Sequence, residues 1–319
     1  MRRWSYLTLR GNHRRLQGIV QRPLGVLPRA VCFVASLVTP ILVLHVVLYA
    51  GEVRETQAQA IVLVPPLSGL RIGERLSFHG RWFGIPVGKG WIEVKETVTV
   101  GGRRAYHVEA QGHSNEVLSM IYPVQDVIHS YIDVETLQPL RFEKSQREGH
   151  YRAEEVVTFD YTRLVANYRS LLNQSVKEIP IPPTIHDIVS AFYWLRTHPV
   201  EANQSILLEV YSDEKVYRTE IKLLRTVMLE LLWRGTFPCL VVEPIAAFKG
   251  VFVKRGRMWV YVSVDERRLP LFVKLQTPWG PMTGVIDPES LLPLPSQTGQ
   301  GSEGSQPQRA HAVSDPTGP

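Results

Sequence analysis

Cysteine is nearly absent from this chain, with two in 319 residues. Cys32 lies in a long apolar run and Cys239 stands alone after it, so no disulfide can staple the region beyond residue 50. A region that long can build a core without one. Cys239 sits in the apolar, strand-like run Phe237–Val242 (FPCLVV) and is expected to be buried and inert. Acids are missing from residues 1–29, which carry seven arginines, and residues 30–50 hold no Lys, Arg, Asp or Glu. Setting the leader's charges aside turns the formal net charge of +6 into −1 for residues 51–319. Nucleic-acid binding, which needs a basic surface on the folded part, thereby loses its support.

Catalytic and metal motifs are lacking as well. Ser114 and Ser119 have no G-x-S-x-G context. Gly84, Gly88 and Gly90 precede no helix and no Lys-Ser/Thr pair, so they are not a phosphate loop. His186-Asp187 has no other His or Cys at ligand spacing and reads as a helix cap. Strand geometry puts Asp126 and His129 on opposite faces, and Asp133 joins neither in a shared site. Glu154-Glu155 and Asp265-Glu266 read as strand-edge and turn charges rather than an acid/base pair. No catalytic residue, metal ligand or cofactor is expected.

What is present begins with 21 residues free of formal charge, Ala30–Ala50, enough to cross a bilayer core of about 30 Å. Arginines in front of it and Glu52 behind predict a cytoplasmic leader (1–29), a transmembrane anchor or signal segment (30–50), and everything later on the far side of a bacterial cytoplasmic membrane, in the periplasm. Ala58-Gln59-Ala60 offers a signal-peptidase site, but the apolar run exceeds a normal signal core and lies ten residues upstream, so a retained anchor is favoured. Residues 51–72, with Pro65-Pro66 and Ser68-Gly69, read as a linker.

From Gly73 the apolar period is two. Ile92, Val94 and Val98 share one predicted face; Tyr106, Val108, Ala110 and Gly112 share another; Met258, Val260, Val262 and Val264 alternate with Trp259, Tyr261 and Ser263. Turn signals at Gly101-Gly102, Glu148-Gly149, Ser212-Asp213 and Arg255-Gly256 separate about a dozen strands. One segment breaks the pattern. Asp187–Thr197 (DIVSAFYWLRT) places Ile188, Ala191, Phe192 and Leu195 at helical spacing, between Pro183 and Pro199. The expected fold is mainly β: an antiparallel barrel-like or two-sheet domain over 73–287, in halves 73–180 and 205–286 about one principal helix near 187–197. Residues 288–319, rich in Pro, Gly, Ser and Gln, are expected to be a disordered tail.

Several runs resemble a bacterial envelope family known only as domain of unknown function 3108: Gly73–Phe78 (GERLSF), Gly84–Gly88 (GIPVG), Ser130–Lys144 (SYIDVETLQPLRFEK), Arg147–Gly149, Glu154–Asp160 (EEVVTFD), Asp187–Tyr193 and Asp265–Pro270 (DERRLP). The resemblance covers residues 73–286. It implies an exported β-rich domain and supplies no catalytic residues. Thr226–Trp233 (TVMLELLW) departs from it in being more apolar than an exposed hairpin.

The remaining signal is aromatic. Six tryptophans follow the leader, and Trp82, Trp91, Trp259 and Tyr261 are the candidate ligand-binding residues if strands curl around an apolar cavity. The expected function is a non-catalytic carrier for an apolar, lipid-like ligand. The alternative is a scaffold that binds another envelope protein through a sheet edge or the Arg-rich turn Lys254–Arg257; a hydrolase comes a distant third.

Overall fold

Alternation of apolar and polar residues becomes strand structure almost everywhere in the computed structural model, which describes residues 53–57, 63–66, 69–232, 234–245 and 256–293. The leader, the apolar run 30–50, Ala58–Ala60, Trp233, Lys254, Arg255 and residues 294–319 lie outside the described residues. Fifteen strands are present: β1 (Val53–Gln57), β2 (Arg75–Trp82), β3 (Ile85–Val100), β4 (Arg103–Ser114), β5 (Val124–Asp133), β6 (Pro139–Glu148), β7 (Tyr151–Asp160), β8 (Val165–Ser170), β9 (Val176–Pro180), β10 (Gln204–Ser212), β11 (Lys215–Leu231), β12 (Gly235–Ile245), β13 (Arg257–Ser263), β14 (Pro270–Thr277) and β15 (Gly280–Ile286). Among the described residues, two α-helices, α1 (Glu116–Ser119) and α2 (Ile188–Thr197), and a 3-10 turn, Pro288–Leu291, complete them.

All strands join one antiparallel sheet, ordered β1-β11-β12-β13-β14-β15-β2-β3-β4-β5-β6-β7-β8-β9, with β10 also on β11. The two runs of strands on either side of α2 are thus halves of one sheet, stitched by β15 on β2, where Val285 faces His79. The sheet is not closed by hydrogen bonds among the described residues: β9 is one edge, and β10 and β1 share the other along β11. A twisted sheet this wide must curl. Its edge regions do meet through side chains and a strap. Tyr211 of β10 packs edge-on against Phe159 of β7, ring centroids 5.6 Å apart. Between β9 and α2, His186 bridges to β10 by accepting from the Tyr211 N–H (2.7 Å) and donating to Glu209 O (2.9 Å).

Helix α2 lies along the curl because its cap is built in. The Asp187 carboxylate accepts from the N–H groups of Val189 (2.8 Å) and Ser190 (2.7 Å), and the Ser190 hydroxyl accepts from the Asp187 N–H, a reciprocal cap worth about 1 kcal/mol. Its other end is fixed by Arg196, whose guanidinium forms a buried bidentate pair with Glu74 (2.7 and 3.0 Å). Val189 and Tyr193 pack on Val94, Val108 and Ile132 of one wall, while Ala191, Trp194 and Leu195 pack on β10–β13 of the other. A further core joins β11–β15 to β2, with Val227, Leu229, Leu231, Cys239, Val241 and Leu76 all essentially inaccessible.

Four details differ from the sequence expectations. The stretch expected to be a linker contains β1, which pairs with β11 from Val53↔Leu231 to Gln57↔Val227. Its five residues offer a single apolar side chain, too little for a visible period. The expected tail is ordered through residue 293: Asp287 caps the 3-10 turn, and the buried Ser290 hydroxyl accepts from the Ser77 N–H at 2.9 Å. A bulge at Lys95 moves Val98 to the face opposite Val94, because Val94 pairs with Val108 but Glu96 with His107. The apolar Thr226–Leu231 segment is accounted for by its place between β1 and β12, not at an exposed hairpin.

Candidate functional site

The face that β3–β7 turn toward α2 does not meet the face of β10–β13 everywhere. Between the two walls and the helix lies a partly open cavity of about 440 Å3, within the range of ~300–1,000 Å3 usual for small-molecule sites. Its lining is overwhelmingly apolar. From α2 come Ile188, Ala191, Phe192 and Leu195, the stripe visible in the sequence as helical spacing. Ile128 and Phe142 contribute from β5 and β6. Val210, Ile221, Leu223, Leu240, Val242, Met258, Val260 and Val262 complete the opposite wall, the last three being the alternate residues of β13. Ile188 remains 40% exposed despite facing inward, because the cavity gives it no partner on that side.

Polar groups punctuate the two ends. Near the β10–β11 turn, Lys144 reaches from β6 to Glu155 of β7 (3.0 Å) and across to Asp213 (3.1 Å), tying one wall to the other. Burial opposes the lysine's charge, but the two carboxylates outweigh it and raise its pKa. Burial raises the pKa of Glu155 despite that lysine. The Tyr211 hydroxyl also borders the space, buried and without a hydrogen-bond partner, and its pKa is raised chiefly by burial. At the other end lie Arg196, saturated by Glu74 and Arg267 O, and Arg268.

The sequence candidates sit elsewhere. Trp82 donates its indole N–H to Trp279 O (3.0 Å) in an exposed corner with Phe83. Trp91 lies under the Arg75 guanidinium, 4.5 Å from its centroid, and edge-on to His113. Trp259 is covered by Arg257 at 4.7 Å. Tyr261, buried on Phe272, donates to Glu55 Oε2 at 2.9 Å. None of the four lines the cavity. Trp259 and Tyr261 point away from it because they alternate with Met258, Val260 and Val262. The cavity's aromatics are instead Phe142, Phe192 and Tyr211. Only the α2 stripe and the β13 alternation could have signalled the lining.

Other singled-out residues resolve into structural roles. Cys239 is fully buried, its thiol pushed up to about 12 by burial. Asp126 accepts from the Arg147 N–H, while His129 lies across the sheet beside His107, 3.0 Å away. Asp133 caps its own turn through the Glu135 and Thr136 N–H groups and pairs with Arg103. Ser114 and Ser119 hydrogen-bond each other at 2.6 Å. Glu154 pairs outward with Arg147, whereas its neighbour Glu155 faces in. Among the described residues no cluster of three or more His, Cys, Asp or Glu is placed to hold a metal, and no helix is long and apolar enough to cross a membrane.

The family described as Protein of unknown function (DUF3108) matches residues 77–303. The chain belongs to that family. No curated protein matches this DUF3108 chain. A solved structure similar to it is a β-barrel-like protein of domain of unknown function DUF1849 from Brucella abortus, at 6% identity, covering 67% of this chain and 94% of that one, with a TM-score of 0.44.

Proposed function

We propose that this DUF3108 domain is a non-catalytic carrier that holds an apolar, lipid-like ligand between α2 and the two walls of its curled sheet. The observation that carries this reading is the cavity itself: about 440 Å3, lined mainly by aliphatic side chains. A space of that size with apolar walls forfeits dispersion contacts and is stabilised when apolar matter fills it. The arginine-rich leader and the uncharged run 30–50 support a domain exported across a bacterial cytoplasmic membrane and tethered to it, beside a lipid source. In the test, the purified and delipidated full chain is titrated with the neutral fluorophore N-phenyl-1-naphthylamine. Saturable one-site binding that is lost in Ala191→Trp, which projects an indole into the space, supports the carrier; no binding, or binding unchanged in the variant, rejects it.

A second reading, scaffolding of another envelope component, rests on one end of the sheet. The β2–β3, β4–β5, β6–β7, β8–β9 and β14–β15 turns all lie there, since neighbouring strands are antiparallel. They expose Phe83, Met120, Ile121, Tyr151, Leu172 and Trp279. Under this reading Met120→Glu with Ile121→Glu abolishes co-purification of the partner without altering fluorophore binding.

A further inference from the structure

Arg268 is the one cavity-lining charge with no counter-charge among the described residues. It follows β13 in the turn to β14, has a positive φ of 46°, and is 4% exposed. Its Nη2 donates to Val64 O at a long 3.3 Å, and its Nε–H is buried with no partner. Nearby acids are engaged elsewhere. Asp265 accepts from the Ser263 hydroxyl (2.8 Å) and from the backbone N–H groups of Arg267 and Arg268 (both 3.1 Å). Glu266 lies 3.7 Å from Arg71, and Glu201 accepts from Gln204. By contrast the neighbouring Arg196 has its bidentate carboxylate. A buried guanidinium with idle donors is costly unless an anion completes it, and its planar fork suits a carboxylate or phosphate. Burial alone depresses its pKa, with no neighbouring charge opposing the shift.

Resting on the carrier reading above, we infer that the ligand is a single-chain anionic amphiphile whose acidic headgroup is bound by Arg268 and whose hydrocarbon chain runs between α2 and β10–β13. The volume of about 440 Å3 is toward the small end of ligand sites and favours one chain over two. The Arg268 end is the place for the headgroup because at the opposite end Lys144 is already satisfied by Glu155 and Asp213.

The test is competition for bound N-phenyl-1-naphthylamine on the full chain, with hexadecanoate, hexadecyl phosphate and neutral 1-hexadecanol as probes. Either anion should displace the fluorophore about ten- to a hundredfold better than the alcohol, as a charge-assisted hydrogen bond to a buried guanidinium demands. The better of the two anions identifies the headgroup as carboxylate or phosphate. Arg268→Gln should erase the gap between anions and alcohol, and Arg268→Lys should keep part of it. Equal displacement by anions and alcohol in the unmodified chain overturns the inference whatever the folding of the variants, and leaves the carrier reading standing. Failure of the fluorophore to bind overturns both.

Discussion

Acidification from pH 7 to pH 5 should cost the domain stability through a single histidine on the strap that joins the sheet's edge regions. His186 is 4% exposed, and burial, with help from His198, holds its imidazole at about 4. In the unfolded chain a histidine titrates near 6.5. Between those two values the unfolded state binds the proton and the folded state does not, so stability is full above about pH 6.5 and is lost as the pH falls toward the folded value. The linkage relation gives a loss of about 2 kcal/mol by pH 5 and about 3 kcal/mol when the titration is complete. For a domain of this size, about 2 kcal/mol corresponds to a Tm lower by about 4–8 °C. Asp187, Glu148 and Glu155 have pKa values raised by burial and act in the opposite direction, so the diagnostic is a difference between proteins. Urea unfolding of the wild type and of His186→Gln should be followed at both pH values. The wild type should lose about 2 kcal/mol more than the variant on acidification. Equal losses in the two proteins would refute the assignment, and with it the view that the strap is held by a neutral, desolvated ring.

Three further outcomes follow from the packing. Glu74→Ala should cost about 3–5 kcal/mol in urea unfolding because it strands the buried Arg196 guanidinium, and Glu74→Leu combined with Arg196→Met should recover most of that loss. Gly88→Ala should destabilise by about 1–3 kcal/mol, since a Cβ there would fall 2.3 Å from the His113 carbonyl oxygen, an atom fixed by the β3–β4 pairing; a neutral result would mean the two strands part easily. Cys239, with its thiol up near 12 and no exposure, should react with a thiol reagent only at the rate of global unfolding.

Legibility in the sequence followed the strength of the local period. Helix α2 was visible because a proline-bounded cap and a four-residue stripe fall in eleven residues, and that stripe proved to face the cavity. The strands from β2 onward alternate well enough to be seen, apart from a shift such as the bulge at Lys95, which no side chain announces. β1 is illegible in the sequence because its ladder partner, Val227–Leu231, lies far away in the chain and supplies the apolar half of the contact. The cavity lining is hidden from the sequence for a different reason. Aromatic content points to residues such as Trp259 and Tyr261, but a cavity is defined by what two distant walls fail to fill, and the pairing of β15 with β2 that sets those walls opposite each other is a long-range fact. The missing counter-charge of Arg268 is invisible in the sequence because only the fold shows where the acids beside it bond.

Native mass spectrometry of the full chain, released from membranes in mild detergent, tests the carrier account most directly. The wild-type protein should retain a one-to-one adduct of lipid mass, and Ala191→Trp, with its indole in the space between α2 and β10–β13, should fly bare. A bare wild-type protein, or an adduct equally present in both, would contradict the account.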